Sequence, residues 1–577
     1  MALQAITDFS PGIREVIAPG YPPGTLQSSG TFRCYALESG GLAPLPRRIN
    51  NFFLVSPEDD QEPLNPNYDD IVTPEIWITG ITCRNPVFYP SSNTTGIDQN
   101  NTDVLLGIEY WYESGEEEEP DTATHVHSLL RLLRYQSIPY WREVWDNDGA
   151  IEGTYVATDR PHRMTFAHGR SNSADPTVGG PVVVGFCVDG YVRMFPDDTS
   201  LTTDTTAALP NDDARPLVLP DTVVSHQGRA VIHPLLLTDA GFEAVYTTNE
   251  AFYFTLPNDW TTHDTGINGS PFSLQVGWED PTGYQVIASL SASELVMIKS
   301  RGGAIVMRGD LGGSDLQAVR FPYVRSPGLS MCMGSMSPLG FLYPVDGSGI
   351  WAWAGGETST DLTPSMLPDF WRPEPLHVDG ETATEWGHGY TQSDYWRDWV
   401  VLPNNFIYDT TTESLWRFED PEAFRFHKMA VDWRGRFMYA TPLGVRNITD
   451  PAVVEYDAFY GATSYQARTQ PLSSTLDQQE QVEQVGIIAS GKGRVTLTIR
   501  TRQNPAGEVR VFEVGADGVE GRLPERQMQG CWIAGSHIEF TINAATHDAT
   551  VNDENSAPIV HAVLWDSNPI EHEGPAA

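Results

Sequence analysis

The sequence predicts an all-β protein: a β-propeller core with an inserted accessory subdomain and a C-terminal antiparallel β-sandwich. Three observations lead to this prediction. Short β-rich runs are separated by turn residues along most of the 577 residues, with 51 Gly and 43 Pro. Strand pairs recur about every 40 to 60 residues, the interval typical of propeller blades. Near Gln470 the strands become longer and more regularly alternating.

The paired runs predict β-hairpins. Residues 182–186 and 191–195 flank Asp189-Gly190, which favours a type I′ turn. Similar pairs are 295–298 with 304–307, 341–343 with 350–353, and 399–402 with 406–408, and further pairs are expected within 244–256 and 429–440. Aromatic residues recur on the second strand of these pairs, where they would wedge neighbouring blades together; they are Phe195, Phe254, Trp351, Tyr408, Trp416 and Tyr439. A series of β-sandwiches with similar hairpins is the alternative.

Composition divides the chain into four predicted regions. Residues 1–55 form an N-terminal arm and the first propeller strands, 56–150 the accessory subdomain, 151–468 the propeller core and 469–577 the sandwich. One helix is expected in the accessory subdomain, at residues 122–135, after an acidic loop. Its apolar stripe would contain Leu129, Leu130, Leu132 and Leu133, and Asp121 would cap its start.

Charge and cysteine usage exclude several classes of protein. The formal net charge is -41, from 76 acidic and 35 basic residues, so a tight grip on nucleic acid is not expected. No apolar run approaches the roughly 18 residues of a membrane span, and no secretory signal is recognisable at the N-terminus. The five cysteines form no CxxC pair and are typical of a reducing compartment; they are Cys34, Cys83, Cys187, Cys332 and Cys531.

The common catalytic motifs are not found, and we predict no catalytic, cofactor-binding or metal-binding residues. His125-Val126-His127 was considered as a metal pair, but on the predicted helix the two imidazoles would point apart. Residues 345–351 place Asp346 and Trp351 as in the Asp-box turn of sialidase-like propellers, with Ser348 where that turn needs Gly. A polar turn is the simpler interpretation.

Acidic residues near aromatic ones leave a glycosidase open as an alternative. The candidate carboxylates are Asp394, Asp398, Asp432 and Glu279. Residues 386–399, with His388, Tyr390, Tyr395 and Trp396, would suit stacking on a sugar, and equally a blade interface or a contact between subunits. We favour the interface.

Three segments near the N-terminus form a recognisable series: Asp8-Phe9-Ser10-Pro11-Gly12-Ile13-Arg14, residues 30–37, and Gly40-Gly41-Leu42-Ala43-Pro44-Leu45-Pro46 followed by Arg47-Arg48. In this order they resemble the opening of the head-to-tail hub, or nozzle, proteins of short-tailed phages. Residues 468–472 and 486–489 are similar to a sandwich that follows in phage structural proteins. Together these segments cover about a third of the chain.

The resemblance implies a non-enzymatic virion protein of the phage tail that is assembled in the host cytoplasm. It implies a homohexameric ring below the portal and adaptor that contacts tail-fibre proteins and lines a DNA exit channel. Double-stranded DNA would pass without tight binding, because an acidic wall offers phosphates no lasting cation contacts. The alternative functions are a propeller glycosidase and a carbohydrate-binding tail protein that act on host polysaccharide.

Overall fold

The fold was analysed in a computed structural model of the chain. The structure describes the following residues: 2–14, 21–27, 29–45, 50–53, 77–84, 103–113, 123–135, 138–146, 165–171, 180–187, 190–194, 222–233, 235–238, 244–248, 251–263, 272–273, 284–299, 303–325, 335–345, 349–362, 376–378, 382–384, 394–396, 399–402, 406–417, 428–431, 437–441, 444–447, 463–472, 479–515, 524–547 and 556–570.

All regular elements among these residues are strands. The N-terminal strands are β1 (Ala2–Ile6), β2 (Ile13–Arg14), β3 (Leu26–Gln27), β4 (Cys34–Ala36), β5 (Leu42–Pro44) and β6 (Asn50–Phe53). The central strands are β7 (Trp77–Arg84), β8 (Asp103–Glu113), β9 (Ala123–Tyr135), β10 (Ile138–Asp146), β11 (Thr165–Ser171), β12 (Gly180–Cys187), β13 (Gly190–Met194), β14 (Thr222–His226), β15 (Arg229–His233), β16 (Leu235–Thr238), β17 (Ala244–Thr248), β18 (Ala251–Leu256), β19 (Asp259–His263), β20 (Phe272–Ser273), β21 (Tyr284–Ser291), β22 (Glu294–Lys299), β23 (Ala304–Arg308), β24 (Gln317–Phe321), β25 (Ser335–Ser337), β26 (Gly340–Val345), β27 (Gly349–Trp353), β28 (Thr360–Asp361), β29 (Leu376–Val378), β30 (Thr382–Thr384), β31 (Asp394–Trp396), β32 (Trp399–Leu402), β33 (Phe406–Asp409), β34 (Ser414–Arg417), β35 (Lys428–Val431), β36 (Phe437–Thr441) and β37 (Gly444–Asn447). The C-terminal strands are β38 (Ser464–Arg468), β39 (Glu480–Ser490), β40 (Gly493–Arg500), β41 (Glu508–Val514), β42 (Glu525–Gly535), β43 (Glu539–Ala545) and β44 (Ile559–Pro569).

The central strands form a closed ring of seven antiparallel sheets in the part of the chain that the structure describes. In chain order the sheets are β10-β9-β8-β7, β11-β12-β13, β14-β15-β18-β19, β21 to β24, β25 to β28, β31 to β34, and β35-β36-β37-β6. Neighbouring sheets meet at β7 and β11, β11 and β14, β14 and β21, β21 and β26, β25 and β31, and β31 and β35, and the circle closes where β35 contacts β7. Sheets arranged radially in a closed circle constitute a β-propeller, as the sequence predicts.

The last sheet of the ring is completed by a strand from the beginning of the chain. β6 pairs antiparallel with β37, with Phe53 opposite Gly444 and Asn50 opposite Asn447. The same sheet therefore joins residues that are about four hundred positions apart in sequence, which ties the two ends of the propeller together.

The prediction of a helix at residues 122–135 is wrong. These residues form strand β9, which pairs antiparallel with β8 on one side and β10 on the other, for example with Leu130 opposite both Leu106 and Glu143. The leucine spacing is compatible with a helix, but the neighbouring runs 103–113 and 138–146 satisfy the backbone of this segment as sheet partners. The region predicted as an accessory subdomain thus contributes a sheet to the ring.

The C-terminal strands form an antiparallel β-sandwich, as predicted. One sheet has the order β38-β43-β40-β41, and the other contains β44, β39 and β42. Buried residues of both sheets, such as Val485, Leu497 and Phe540, belong to one hydrophobic core. N-terminal strands complete the second sheet, because β1 pairs with β44 along its whole length and β5 adjoins β44 at Leu42.

The sandwich is joined to one blade of the ring through the N-terminal strands. β4 adjoins β34 of the blade at Cys34 and Arg417, and it also pairs with β5 of the sandwich sheet. Trp416 and Tyr408 of this blade lie in the same hydrophobic core as the sandwich residues. The domain boundaries drawn from the sequence stay predictions, but sheet pairing shows that 1–55 contributes to both bodies.

Most of the predicted hairpins are confirmed. β12 with β13, β22 with β23, β26 with β27, β32 with β33, and β35 with β36 pair as expected. The expected pair within 244–256 is wrong, because β17 pairs with β16, whereas β18 pairs with β15 and β19. Among the residues described, no helix has the length and apolarity to cross a membrane.

Candidate functional site

The two histidines considered for metal binding share one strand, and because alternate residues of a strand lie on one face, the helix-based argument that they point apart does not apply. His125 and His127 lie in β9 and Asp394 lies in β31, whereas Asp398, Asp432, Glu279, His388 and Tyr390 fall outside the described residues. No group of three or more His, Cys, Asp or Glu that could hold a metal ion occurs in the described part of the chain.

The segment that resembles an Asp box is a hairpin whose aromatic residues pack between blades. Val345 pairs with Gly349 across the turn, and Asp346 to Ser348 fall outside the described residues. The Arg325 guanidinium lies 6.0 Å from the centroid of the Trp351 ring. Trp353 is fully buried, and its indole Nε1 donates to the carbonyl of Gly356 at 2.7 Å. Both tryptophans are thus engaged in packing.

Trp399, at the end of the aromatic segment 386–399, is also a packing residue. It is buried, and its indole Nε1 donates to Asp409 Oδ2 at 3.3 Å. Asp409 Oδ1 accepts hydrogen bonds from the backbone amides of Thr411 and Thr412, which closes the turn between β33 and β34. The ring of Tyr35 meets Trp399 edge-on with centroids 4.9 Å apart. Trp399 therefore packs within its own blade and against β4 of the N-terminal strands. The interface interpretation of residues 386–399 stays a prediction.

Polar side chains join the blade β14-β15-β18-β19 to the next blade at the turn between β14 and β15. Gln227 Nε2 donates to the carbonyl of Gly309 at 2.7 Å, and the amide of Leu311 donates to Gln227 Oε1 at 3.1 Å. Arg229, which is only 4% exposed, pairs with Asp310 at 3.3 Å. Phe254 packs into the same junction with Leu295 and Ile305 of the next blade, as the wedge prediction requires.

His226 is buried at this junction. Its Nδ1 lies 2.9 Å from Ser289 Oγ of the next blade, and its Nε2 has no hydrogen-bond partner. Burial lowers the pKa of His226 to about 4, because the imidazolium would lose its hydration there. The ring is therefore neutral near neutral pH.

A surface with different properties lies on one side of the sandwich, where its two sheets end. β41 is the edge strand of one sheet and β42 is the edge strand of the other. Phe512 and Val514 of β41 and Cys531 and Ile533 of β42 are buried in the shared core. The outer sides of these two strands constitute the surface that we call the sandwich edge.

The exposed backbone of the sandwich edge is capped by side chains. Gln527 Nε2 donates to the carbonyl of Glu513 at 2.7 Å, and Gln529 Nε2 donates to the carbonyl of Val511 at 2.6 Å. Edge strands with free carbonyls recruit further strands, so these caps oppose uncontrolled sheet extension.

Arg510 closes the gap between the two sheets. Its Nε donates to the carbonyl of Gly530 at 2.6 Å, and its Nη2 lies 2.7 Å from Glu508 Oε2. The thiol of Cys531 lies 3.6 Å from the same carboxylate oxygen. Burial, with the nearby charge of Glu508, raises the pKa of Cys531 to about 11, so the thiol stays protonated and unreactive.

Exposed apolar side chains are concentrated at the sandwich edge. Trp532 is 70% exposed, Val509 is 52% exposed and Val511 is 42% exposed. The other large exposed hydrophobic residues among those described, Tyr323 and Leu3, lie on other elements. Val509 and Val511 are neighbours on one side of β41, whereas Trp532 stands alone on β42.

The apolar residues of the sandwich edge point in two opposite directions. Phe512 and Val514 face the core, so the alternation of β41 turns Val509 and Val511 outward from their sheet. By the same alternation Trp532 faces outward from the other sheet. The two patches therefore lie on opposite outer faces of the sandwich.

Charges at the sandwich edge are balanced, although the chain as a whole carries -41. Arg510 pairs with Glu508, and Arg494 pairs with Glu513 at 2.8 Å. Across from Val511, strand β40 presents Thr496, which is uncharged. Another molecule, even an acidic one, can approach this surface without strong repulsion.

The sequence analysis missed this surface. The alternation Glu508-Val509-Arg510-Val511 indicates valines in the core and charges outside, and the structure has the reverse. Pairing of Phe512 with Val495 fixes the register of β41 and turns the valines outward. The signal in the sequence was the apolar run Val511-Phe512, which makes both faces of one strand partly apolar.

Comparisons with known proteins assign no family. No protein-family model matches the sequence, and no curated protein matches it. Similar solved structures include YCF48 bound to a D1 peptide (10% identity, 67% of this chain and 96% of that chain, TM-score 0.31) and a streptogramin B lyase (11% identity, 65% and 97%, TM-score 0.30). A sialidase of Trypanosoma rangeli covers 98% of this chain and 96% of its own at 9% identity and a TM-score of 0.25. The propeller assignment above depends on strand pairing and not on these likenesses.

Proposed function

We propose that this chain is a virion structural protein of a phage tail. In this proposal copies of the chain form the nozzle or hub ring below the portal and adaptor, contact tail-fibre proteins and line the channel through which DNA leaves. The proposed function involves no catalysis. The protein binds its neighbours in the tail and leaves a channel open.

The observation that carries the proposal is the sandwich edge. Trp532, Val509 and Val511 are exposed to water in the single chain, and a subunit of an assembly would bury such side chains against its neighbours.

The N-terminal motif that resembles the nozzle family supports the same proposal. Phe9 is fully buried, and its amide donates to the carbonyl of Gly40 at 2.9 Å. Gly40 has φ +85°, and a Cβ there would come within 2.7 Å of the carbonyl oxygen of Thr7. Leu42 lies in the shared core. These residues fasten the N-terminal strands between the sandwich and the blade β31 to β34, which share one core.

The charge of the chain fits passage of DNA. With 76 acidic against 35 basic residues, a channel lined by this protein offers few cations to hold the phosphates. Double-stranded DNA would then slide through and not be retained.

Negative-stain electron microscopy of the purified protein, alone and mixed with its portal and adaptor, tests the proposal. We expect rings of about six subunits with a central opening, and no hydrolysis of polysaccharide by the same preparation. Monomers that never join the portal complex and that depolymerise polysaccharide would overturn the proposal in favour of a propeller glycosidase.

A further inference from the structure

We infer that Trp532 and Glu483 form a docking site for a basic side chain, an arginine or a lysine, that projects from a partner protein. The inference deepens the proposed function, on which it rests for the existence of such a neighbour in the tail. It names the chemistry that the β42 side of the sandwich edge would recognise.

Sheet pairing places a carboxylate beside the exposed indole. The register of β39 against β42 shifts after Val482, and the shift puts Glu483 across from Trp532. Val482 and Ile533 are buried in the core, so strand alternation turns Glu483 and Trp532 outward on the same face. Opposite residues on one face of a sheet have Cβ atoms about 5 Å apart. The carboxylate and the indole can therefore contact the same ligand group.

The carboxylate of Glu483 keeps its negative charge. Its Oε1 accepts a hydrogen bond from Asn568 Nδ2 at 2.9 Å, and an amide is neutral. Among the ion pairs of the described residues, none includes Glu483. On the β41 side, by contrast, Glu508 and Glu513 each pair with an arginine. The two sides of the sandwich edge therefore differ in charge.

The other described charges near Trp532 do not cancel that of Glu483. Asp566 of β44 also faces outward, because the alternation of this strand buries its two neighbours. Arg510 reaches the edge of β42, but its charge is already paired with Glu508. Arg526 is exposed on β42 and lies about 20 Å along the strand from Trp532, beyond the Debye length at physiological salt. The surroundings of the indole are thus acidic.

An indole and a carboxylate side by side favour a cation. The face of an indole ring attracts a guanidinium or an ammonium group within about 6 Å of its centroid. A carboxylate adds a charge-assisted hydrogen bond to the same group. The chain already contains one such stacking contact, since the Arg325 guanidinium lies 6.0 Å from the centroid of the Trp351 ring. A purely apolar partner would instead bury the Glu483 carboxylate without a counter-charge, which is costly.

The surroundings of Trp532 leave room for the basic side chain. The indole is 70% exposed. Gly530, two residues earlier on the same outer face, has no atom within 4 Å of the position that a Cβ would occupy. Ala534, two residues later, is exposed and small. A side chain can therefore lie over the ring while its cationic end reaches Glu483.

Charge complementarity favours a basic partner over a second copy of the chain. The chain carries a net charge of -41, so a second copy would meet repulsion at a face that holds Glu483 and Asp566. A basic protein surface would be steered towards the same face. The proposed neighbours of the chain in the tail are proteins of this kind if they bind here.

The test uses the full chain with fluorotryptophan in place of tryptophan, and fluorine NMR as the readout. The Trp532 resonance is the one that is missing from the spectrum of the Trp532→Phe chain. The probes are an acetylated, amidated triarginine peptide and the matching tricitrulline peptide, which has nearly the same shape and no charge. The triarginine peptide should shift the Trp532 resonance to saturation, and the tricitrulline peptide should not. Added salt should weaken binding, because it screens exposed charges.

Two variants remove one carboxylate each. Glu483→Gln keeps an acceptor for Asn568, so the chain should fold, and its affinity for the triarginine peptide should fall by a factor of about two to five. Glu525→Gln is the matched control, because it removes an exposed carboxylate from the far end of the same strand as Trp532. This control should bind the triarginine peptide like the unaltered chain.

Several results would overturn the inference. Equal shifts with the two peptides would indicate a neutral partner, and no shift with either would exclude the site. A Trp532 resonance that moves with protein concentration alone would indicate a second copy. Equal affinities of the Glu483→Gln chain and the unaltered chain would exclude the carboxylate. After any of these results, rings formed with portal and adaptor would still support the proposed tail function. Binding of the triarginine peptide by a chain that forms no ring would support the site and contradict that function.

Discussion

The sandwich and the propeller blades are held together in different ways. The sandwich, the N-terminal strands, the blade β31 to β34 and one side of the blade β25 to β28 share one continuous core. The junctions on either side of the blade β21 to β24 have separate small cores, of six and seven buried residues among those described. Polar links such as those of Gln227 supplement these small cores. The difference suggests a cooperative frame at one side of the ring and blades that are stabilised mainly by their nearest neighbours.

Replacing one buried phenylalanine in each region tests whether the two regions unfold independently. Phe540→Ala and Phe254→Ala each remove a fully buried ring and should lower the free energy of unfolding by about 3–5 kcal/mol. The ring centroids of Phe540 and Trp565 lie 5.3 Å apart in the continuous core. Loss of the Phe540 ring should therefore raise amide hydrogen exchange in the sandwich, the N-terminal strands and β31 to β34. Loss of Phe254 should raise exchange only in the two blades that it joins.

Hydrogen exchange followed by mass spectrometry measures this pattern. An increase throughout the sandwich in the Phe254→Ala chain would contradict the separation of the two regions. An increase confined to β43 in the Phe540→Ala chain would contradict the continuity of the larger core.

Acid should weaken the blade junction at His226. The pKa of His226 is lowered from 6.5 to about 4 in the folded chain, so folding disfavours the protonated ring. The neutral His226 ring therefore contributes to the free energy of unfolding above pH 6.5. This contribution, on the order of 3 kcal/mol, is lost as the pH falls towards 4. Local exchange in β14 and β21 should increase over this interval, and His226→Gln should reduce the increase.

The control for this prediction is the variant His537→Gln, in the turn before β43. That variant should keep the acid response of the blades. Equal acid responses in the His226→Gln chain and the unaltered chain would show that another group governs the loss.

The smallest effect is expected at the polar link between blades. Gln227→Ala removes two hydrogen bonds to the next blade and should cost about 1–2 kcal/mol. Limited proteolysis should then cleave sooner between β14 and β24, while the sandwich remains resistant. Gln484→Ala, at an exposed position of the sandwich, is the control and should not alter cleavage.

Much of the fold could be predicted from the sequence, because hairpins are local. The Asp189-Gly190 signal and the flanking alternation predict β12 and β13 without reference to the rest of the chain, and in the structure Gly190 is the first residue of β13, opposite Cys187. The segment around Leu130 could not be assigned in this way, since its leucine spacing is compatible with two structures and distant strands decide between them. Likewise, only the pairing of β6 with β37 reveals how the ring closes.

The outward orientation of Val509 and Val511 could not be predicted from the sequence for a related reason. Whether Val511 faces the core or the solvent depends on the register of β41 against β40, and a shift of one residue would exchange the two faces. The sequence of β41 alone fits either register. The burial of Phe512 and Val514 decides it, and that burial depends on both sheets of the sandwich.

The most direct test of the account is hydrogen exchange of the unaltered chain at increasing denaturant concentration, followed by mass spectrometry. The account predicts that the sandwich, the N-terminal strands and the blade β31 to β34 open together, because they share one core. The blade β21 to β24, with its separate small cores, should open at a lower denaturant concentration. A single transition in which all of these regions open together would contradict the account.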